Sequence, residues 1–250
     1  MTTTDVAGPA FWKQYWQRQP TPQTPWTAPW LALLEQHLPT GPAFRALEVG
    51  CVPGRIMRAI HDRLGYRVHG IDYSEIADQL ADDLERQGLS HLTVERADLR
   101  TYQPDELFDL VYSMGVIEHF SDYSHMVDHH CRLVRPGGYV HITMPNFRGL
   151  QYWLRRWMCP QALLGHHLRA MSARRLRRRL QANGLNIVYC DGWGTFDFWF
   201  PPGIDVHPKV GRYATWYTHR VKQLLTRLKL DRVPTWWSSP YIVSLARKPR

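Results

Sequence analysis

Along the middle of the chain, apolar residues switch repeatedly between the short runs of buried strands and the three-and-four spacing of amphipathic helices. Arg45 to Gly50 reads as a short strand, after which Ile56, Met57, Ile60 and Leu64 recur at helical spacing until Gly65 stops the helix. YRVHGID predicts a second strand, then Ser74 as the N-cap of a helix that carries Ile76, Leu80 and Leu84 and ends at Gly88. LTVERAD and FDLVYSM predict the third and fourth strands. Ser121 or Asp122 opens a helix whose Tyr123, Met126, Val127, Cys131 and Val134 share one apolar face, RPGG breaks it, and YVHITM supplies a fifth strand. Strands alternating with helices imply parallel pairing in a doubly wound α/β sheet, with ligands at the carboxyl ends of the strands.

The first strand-to-helix turn, GCVPG, lies at such an end. Gly50 allows a backbone conformation and a close approach that a side chain would block. Gly54 lets the loop enter the helix tightly, and the free N–H groups of the helix start favour an anionic group. Asp72 ends the second strand, where a carboxylate accepts hydrogen bonds from both hydroxyls of a ribose, so the pair of features points to a nucleoside. A glycine turn alone would be only a tight connection. The dinucleotide pattern GxGxxG is absent, because Val52 stands where a second glycine would let a pyrophosphate approach, and a cofactor smaller than NAD is favoured.

Composition adds boundaries. With 250 residues, 44% of them apolar, the chain can bury a sizeable core. It holds no apolar run long enough for a membrane span, and MTTTDVAGPAFWK lacks the apolar centre of a signal peptide. Cys51, Cys131, Cys159 and Cys190 are far apart, without the spacing of a zinc site or a disulfide framework, and a cytoplasmic setting fits. A net charge of +9 leaves nucleic acid, an anionic membrane surface and an acidic substrate open as partners. The eleven tryptophans fall in residues 11–30 and 153–237, outside the strand-and-helix alternation, which suggests an aromatic cap over a common core.

Taken in order, LEVGCVPGR, GIDYS, ADL, FDLVYSMGVIEHF and RPGGYVHITMPN resemble the class I S-adenosylmethionine-dependent methyltransferases, over about residues 44–147 by motif. The resemblance implies a Rossmann-like sheet, an enzyme that transfers the methyl group of S-adenosyl-L-methionine, and a set of cofactor-binding residues. Glu48 and the backbone from Gly50 through Cys51 to Gly54 would border the methionine end. Asp72 would take the ribose, with Tyr73 against the adenine and Asp98 and Leu99 at its edge. Ser113 and Met114 would line the sulfonium side. Val52 replaces a commoner glycine, and a β-branched residue resists positive φ. The resemblance also implies that LNIVYCDGW and YIVSLARKP are the last two strands, forming an antiparallel pair at the sheet edge, with an aromatic lid at 194–238 between them. A helical insert at 147–171 precedes them. Residues 1–40, with Trp12, Tyr15 and Trp16 at helical spacing, resemble an N-terminal cap over the domain at 41–250.

Methyl transfer from an activated sulfonium asks the enzyme to align an acceptor atom and exclude water, and asks for a base only when the acceptor must lose a proton. His119, just past the fourth strand, is the candidate base; the alternative is a loop histidine bonded to backbone. Glu118 and His119 match the acid–histidine pair of metal-using quinone O-methyltransferases. The preceding acid of that set is replaced by Met114 or Gly115, so no metal is expected. His125 and His129 share a helix face opposite the apolar one and read as solvated. SARRLRRRLQANG predicts a helix capped by Ser172, with Ala173, Leu176 and Leu180 buried and arginines that are either solvated or in contact with phosphate. The acceptor expected first is a small aromatic or apolar molecule taking the methyl on oxygen or nitrogen. A membrane-borne lipid or quinone, RNA, and a module that binds the cofactor without turnover are the alternatives.

Overall fold

In the computed structural model, residues 12, 28, 30–200, 208–231 and 233–250 are described. Seven strands form one sheet: β1 (Arg45–Val49), β2 (Arg67–Asp72), β3 (Leu92–Arg96), β4 (Phe108–Met114), β5 (Val134–Pro145), β6 (Asn186–Trp193) and β7 (Tyr241–Arg247). Their order is β3-β2-β1-β4-β5-β7-β6. The first five strands pair in parallel, while β7 runs antiparallel between β5 and β6. The sheet is therefore the mostly parallel Rossmann-like sheet with an antiparallel C-terminal strand that the sequence implies. The chain order reverses between β1 and β4, and open α/β sheets bind ligands beyond the strand ends at such a reversal.

Helices cover both faces. Alternation along β4 sends Leu110 and Tyr112 to one side and Val111 to the other. On the first side lie α1 (Leu31–His37), α2 (Arg55–Leu64) and α3 (Ile76–Arg86); on the second lie α4 (Tyr123–Leu133) and a later, arginine-rich helix. Right-handed crossovers require this split, because β1 to β3 step one way along the sheet and β4 to β5 the other. Trp30 is fully buried, tilts against His141 at 4.4 Å and joins α1 in the first core. The end of the cap expected over residues 1–40 thus belongs to the core. Trp12 is described, whereas Tyr15, Trp16 and the proline-rich connector lie outside the described residues.

Two local expectations change. Ser74 does not cap α3, whose N-cap is Glu75; its backbone N–H instead donates to Oδ1 of Asp72 at 2.8 Å, closing a turn at the end of β2. The RPGG segment does not separate helix from strand, because β5 already begins at Val134 and takes in Pro136 and both glycines through a register shift against β4. Val134 consequently belongs to the strand rather than to the apolar face of α4.

The inserted segments leave from one end of the sheet. After β5 come α5 (Leu150–Met158) and the short α6 (Gln161–Leu164); the β6–β7 connection carries α8 (Pro208–Arg227). The two inserts meet at Arg155, whose fully buried guanidinium lies 3.9 Å from the Phe147 ring centre and 4.9 Å from that of Trp199, and donates to the Trp199 carbonyl at 3.0 Å. Between them α7 (Ala173–Ala182) buries Leu176 and Leu180, and Ser172 caps it through a bond from the Arg175 N–H. Its arginines are only partly solvated: Arg179 grips Asp128 on α4, and Arg177 donates to the Cys190 carbonyl at 2.6 Å.

The bulge in β5 has no room for a side chain at Gly138, where a Cβ would meet the Asp109 carbonyl oxygen at 2.7 Å and the Val134 side chain at 2.8 Å. Gly138→Ala is expected to destabilise the fold by about 1–3 kcal/mol, the usual cost of overpacking, read as a lower urea midpoint with unchanged slope.

Candidate active site

At the carboxyl ends of β1, β2 and β4 the chain forms a cavity of about 950 Å³ counted out to its open mouth. The turn after β1 shapes its floor. Gly50 takes φ +71° and Gly54 φ +86°, so the left-handed positions fall on glycines, and Val52 is not among the residues with positive φ. The Val52–Pro53 peptide is cis. Gly50 and Cys51 donate their N–H groups to the Ile71 carbonyl at 2.8 and 3.3 Å, tying the turn to β2. A Cβ at residue 50 would come within 2.6 Å of Val116 Cγ2, so only glycine lets this turn pass the segment after β4.

Of the residues singled out from sequence, Glu48, Gly50, Cys51, Asp72, Tyr73, Asp98, Leu99, Met114 and His119 line this cavity together. Gly54 and Ser113 do not. Gly54 starts α2 and is packed against Leu80, while Ser113 is buried inside β4. Trp12, Arg100, Val116 and Phe120 also line the cavity. The spacing of Trp12 marked it as part of a cap, but nothing in the local sequence marks the other three.

Burial sets the charge of the acids. Asp72 is mostly buried, which pushes its pKa up, against the bonds from Ser74 and Val52. Glu48, fully buried, is raised to about 8 by desolvation even though Tyr112 Oη donates to its Oε2 at 2.8 Å. Asp98 differs. Burial raises its pKa, but the hydrogen bonds and charge of Arg100 outweigh that, and the carboxylate stays below its ordinary value.

Beyond Met114 a single 3-10 turn, Ile117–His119, brings His119 to the cavity. The segment after α6 holds it. His167 donates its backbone N–H to the Glu118 carbonyl at 2.7 Å, and the His119 Nδ1–H donates to the Gly165 carbonyl at 2.6 Å. That second bond fixes the tautomer and leaves Nε2 with a free lone pair. The backbone-bonded histidine and the candidate base are thus the same side chain. Trp12 stands edge-on to the His119 ring at 4.7 Å, and His166 lies 4.5 Å away on its other flank.

Glu118 is fully buried, and neither carboxylate oxygen meets a hydrogen-bonding group of another described residue. Desolvation raises its pKa to about 8 and lowers those of His119 and His166 to about 4 and about 3, so all three are uncharged near neutrality. Glu118, His119 and His166 each bring one ligand-type atom within 4.8 Å of the others, an arrangement hidden in the sequence because His166 comes from the insert. His125 is exposed and His129 partly exposed on α4, whereas His130, which the helical pattern did not single out, is buried.

The family model for a methyltransferase domain matches residues 16–189, more than half of the chain. The chain belongs to the class I S-adenosylmethionine-dependent methyltransferases. A trans-aconitate 2-methyltransferase from an Azoarcus strain is 31% identical over 111 residues, 44% of this chain and 42% of its own. A phosphoethanolamine N-methyltransferase of Caenorhabditis elegans is 35% identical over 107 residues, 41% of this chain and 24% of its own. The chain thus matches less than half the length of these curated relatives. In structure, a Haemonchus contortus phosphoethanolamine N-methyltransferase bound to S-adenosyl-L-methionine aligns with a TM-score of 0.59 at 17% identity, over 88% of this chain and 52% of that one. The cofactor of this methyltransferase family is S-adenosyl-L-methionine, and the cavity fits it: a floor that excludes a Cβ at Gly50, and a mostly buried carboxylate at Asp72.

Glu118 makes the site's cost depend on pH. Its folded-state pKa of about 8 stands above the ordinary 4.5, so the folded protein keeps a proton that the unfolded chain releases, and stability falls as pH rises from about 4.5 to about 8. Glu118→Gln cannot ionise. Its melting temperature relative to wild type is expected to rise between pH 5 and pH 8 by calorimetry, and a constant difference would mean that Glu118 does not hold its proton.

Proposed function

We propose that the chain transfers the methyl group of S-adenosyl-L-methionine, by in-line displacement, to an oxygen or nitrogen of a small acceptor with an aromatic or apolar body. One observation carries the reading: a single cavity is lined both by Gly50 and Asp72 and by Trp12, His119 and Phe120. A sulfonium methyl is already activated when the cofactor is bound. The work left to the chain is alignment and exclusion of water.

In this reading Asp72 accepts both ribose hydroxyls, Tyr73 and Leu99 lie against the adenine with Asp98 at its edge, and Glu48 and Met114 flank the methionine and sulfonium. Gly54 and Ser113 act from behind, keeping α2 and β4 in place. His119 Nε2 takes the proton that the acceptor's hydroxyl or amine gives up. Its neutral state across the physiological range keeps the lone pair available, although burial makes it a weak base. The imidazolium then formed has the Glu118 carboxyl beside it, with Oε1 at 4.0 Å from Nε2. Trp12 and the segments 147–171 and 194–238 are assigned the role of cap, whereas Trp30 and α1 belong to the core. Trp12 against His119, and the bonds from the post-α6 segment to the Ile117–His119 turn, support that assignment.

Two measurements test the reading. A cell extract incubated with the protein and deuteromethyl-labelled cofactor is expected to yield one labelled small metabolite by mass spectrometry; label appearing only in RNA or protein would overturn it. Asp72→Ala is expected to weaken cofactor binding by about 1.5–3 kcal/mol, the range for hydrogen bonds to a charged acceptor. Titration calorimetry showing wild-type affinity would remove Asp72 from the site.

A further inference from the structure

Helix α8 runs for 20 residues and packs only one narrow face, along which Thr218 is buried and Gly211, Ala214, Val221 and Leu225 are partly exposed. A helix of that length in a folded domain ordinarily lays an apolar stripe on the core. Here a second apolar strip is left without a partner. Beside the packed face, Val210, Tyr213, Tyr217 and Leu224 stay in solvent, and Tyr213, Tyr217 and Leu224 are 72%, 62% and 56% exposed.

The surroundings repeat the pattern. Trp153 and Trp157 on α5 are 69% and 80% exposed, and Trp236, in the turn before β7, is 79% exposed. These segments belong to one end of the sheet, because Pro145 at the end of β5 and Trp193 at the end of β6 both pair with Tyr241, the first residue of β7. Direct bonds tie them together. Leu150 N–H donates to the Trp237 carbonyl at 2.7 Å, Thr195 N–H to the Asp231 carbonyl at 3.1 Å, and Lys222 Nζ to Asp197 at 2.9 Å. Exposed apolar residues gathered on linked segments at one end of the sheet suit an interaction site.

Charge chooses the occupant. The sequence of α8 contains no aspartate or glutamate; besides Lys222, which pairs with Asp197, it carries Lys209, Arg212, Arg220 and Arg227, on a chain of net charge +9. A second copy would set two such helices against each other and meet like-charge repulsion, whereas an anionic surface neutralises them. Tryptophan and tyrosine favour a boundary that is apolar on one side and wet on the other, and arginine and lysine extend their charged heads toward lipid phosphates. No described helix is long and apolar enough to cross a membrane, so the contact is with the surface.

We propose that α8, together with the exposed tryptophans of α5 and the turn before β7, docks the protein on the surface of an anionic lipid bilayer. The docking stands apart from the methyl-transfer reading, since it needs neither cofactor nor acceptor. It would turn the carboxyl edge of the sheet, where the cavity opens, toward the lipid.

Flotation of the full chain with two kinds of vesicle tests this: phosphatidylcholine alone, and phosphatidylcholine with about one third phosphatidylserine. The protein is expected to float with the anionic vesicles only, and to be released on raising the salt about tenfold. Two variant sets, Tyr213→Ser with Tyr217→Ser and Leu224→Ser, and separately Arg220→Glu with Arg227→Glu, should each lower the bound fraction at least about fivefold. Melting temperature and S-adenosylhomocysteine binding should stay unchanged in both sets, since every substitution is at an exposed position. Failure to float, or equal flotation with neutral vesicles, would overturn the proposal. So would a dimer in sedimentation that the same substitutions disperse, which would give the face to a second copy.

Discussion

The ends of β1 and β4 lie side by side at the sheet's reversal point, and the chain beyond each must turn in the same small space. A side chain at residue 50 would stand 2.6 Å from Val116, so the two turns fit together only with glycine in the first. Everything at the carboxyl edge follows from that close approach. It lets the turn after β1 bond to Ile71 at the end of β2, brings Asp72 to the cavity, and leaves the 3-10 turn after β4 to bring His119 to it. A larger residue would push the floor away from the mouth and separate the two ends of the site.

Much of this frame could be read from the sequence, because strand runs, helical spacing and glycine stops are local signals. Asp72 was legible for the same reason: an acid directly ending a buried strand has few structural uses. The failures have physical causes. Ser74 has the side chain of a cap, but its backbone N–H is taken by Asp72, and the helix starts one residue later. RPGG looks like a break because proline and glycine end helices, yet at the start of a strand the same residues make a bulge. Glu118 and His119 could be picked out as a pair. His166 could not, since it reaches them through the insert, and neither could the burial that determines their charge.

That burial gives the mouth of the site an unusual electrostatic state. An acid and two histidines lie together without a net charge, because desolvation pushes the acid's pKa up and the histidines' pKa values down. A positively charged sulfonium would be repelled by a charged imidazolium, whereas a neutral imidazole does not repel it. The same arrangement holds a proton on Glu118 and a vacancy on His119 Nε2 only 4.0 Å apart. A proton arriving on the histidine therefore changes the balance of the whole trio rather than of one residue.

The division of labour follows the division of the chain. The strand ends and the first turn, which carry the motifs shared with other class I methyltransferases, supply the glycine and acid end of the cavity. The other end depends on chain outside the alternating core, for Trp12 comes from the N-terminal segment and the carbonyl that orients His119 comes from the residue just after α6. The insert that fixes His119 is itself pinned at Arg155 to Trp199 in the β6–β7 connection, and that connection bears α8. A force on the exposed aromatic surface thus has a continuous packed route to the histidine at the cavity mouth. The sheet, braced by helices on both faces, keeps the acid end fixed, so any movement of these inserts would alter the end lined by Trp12 and His119 first.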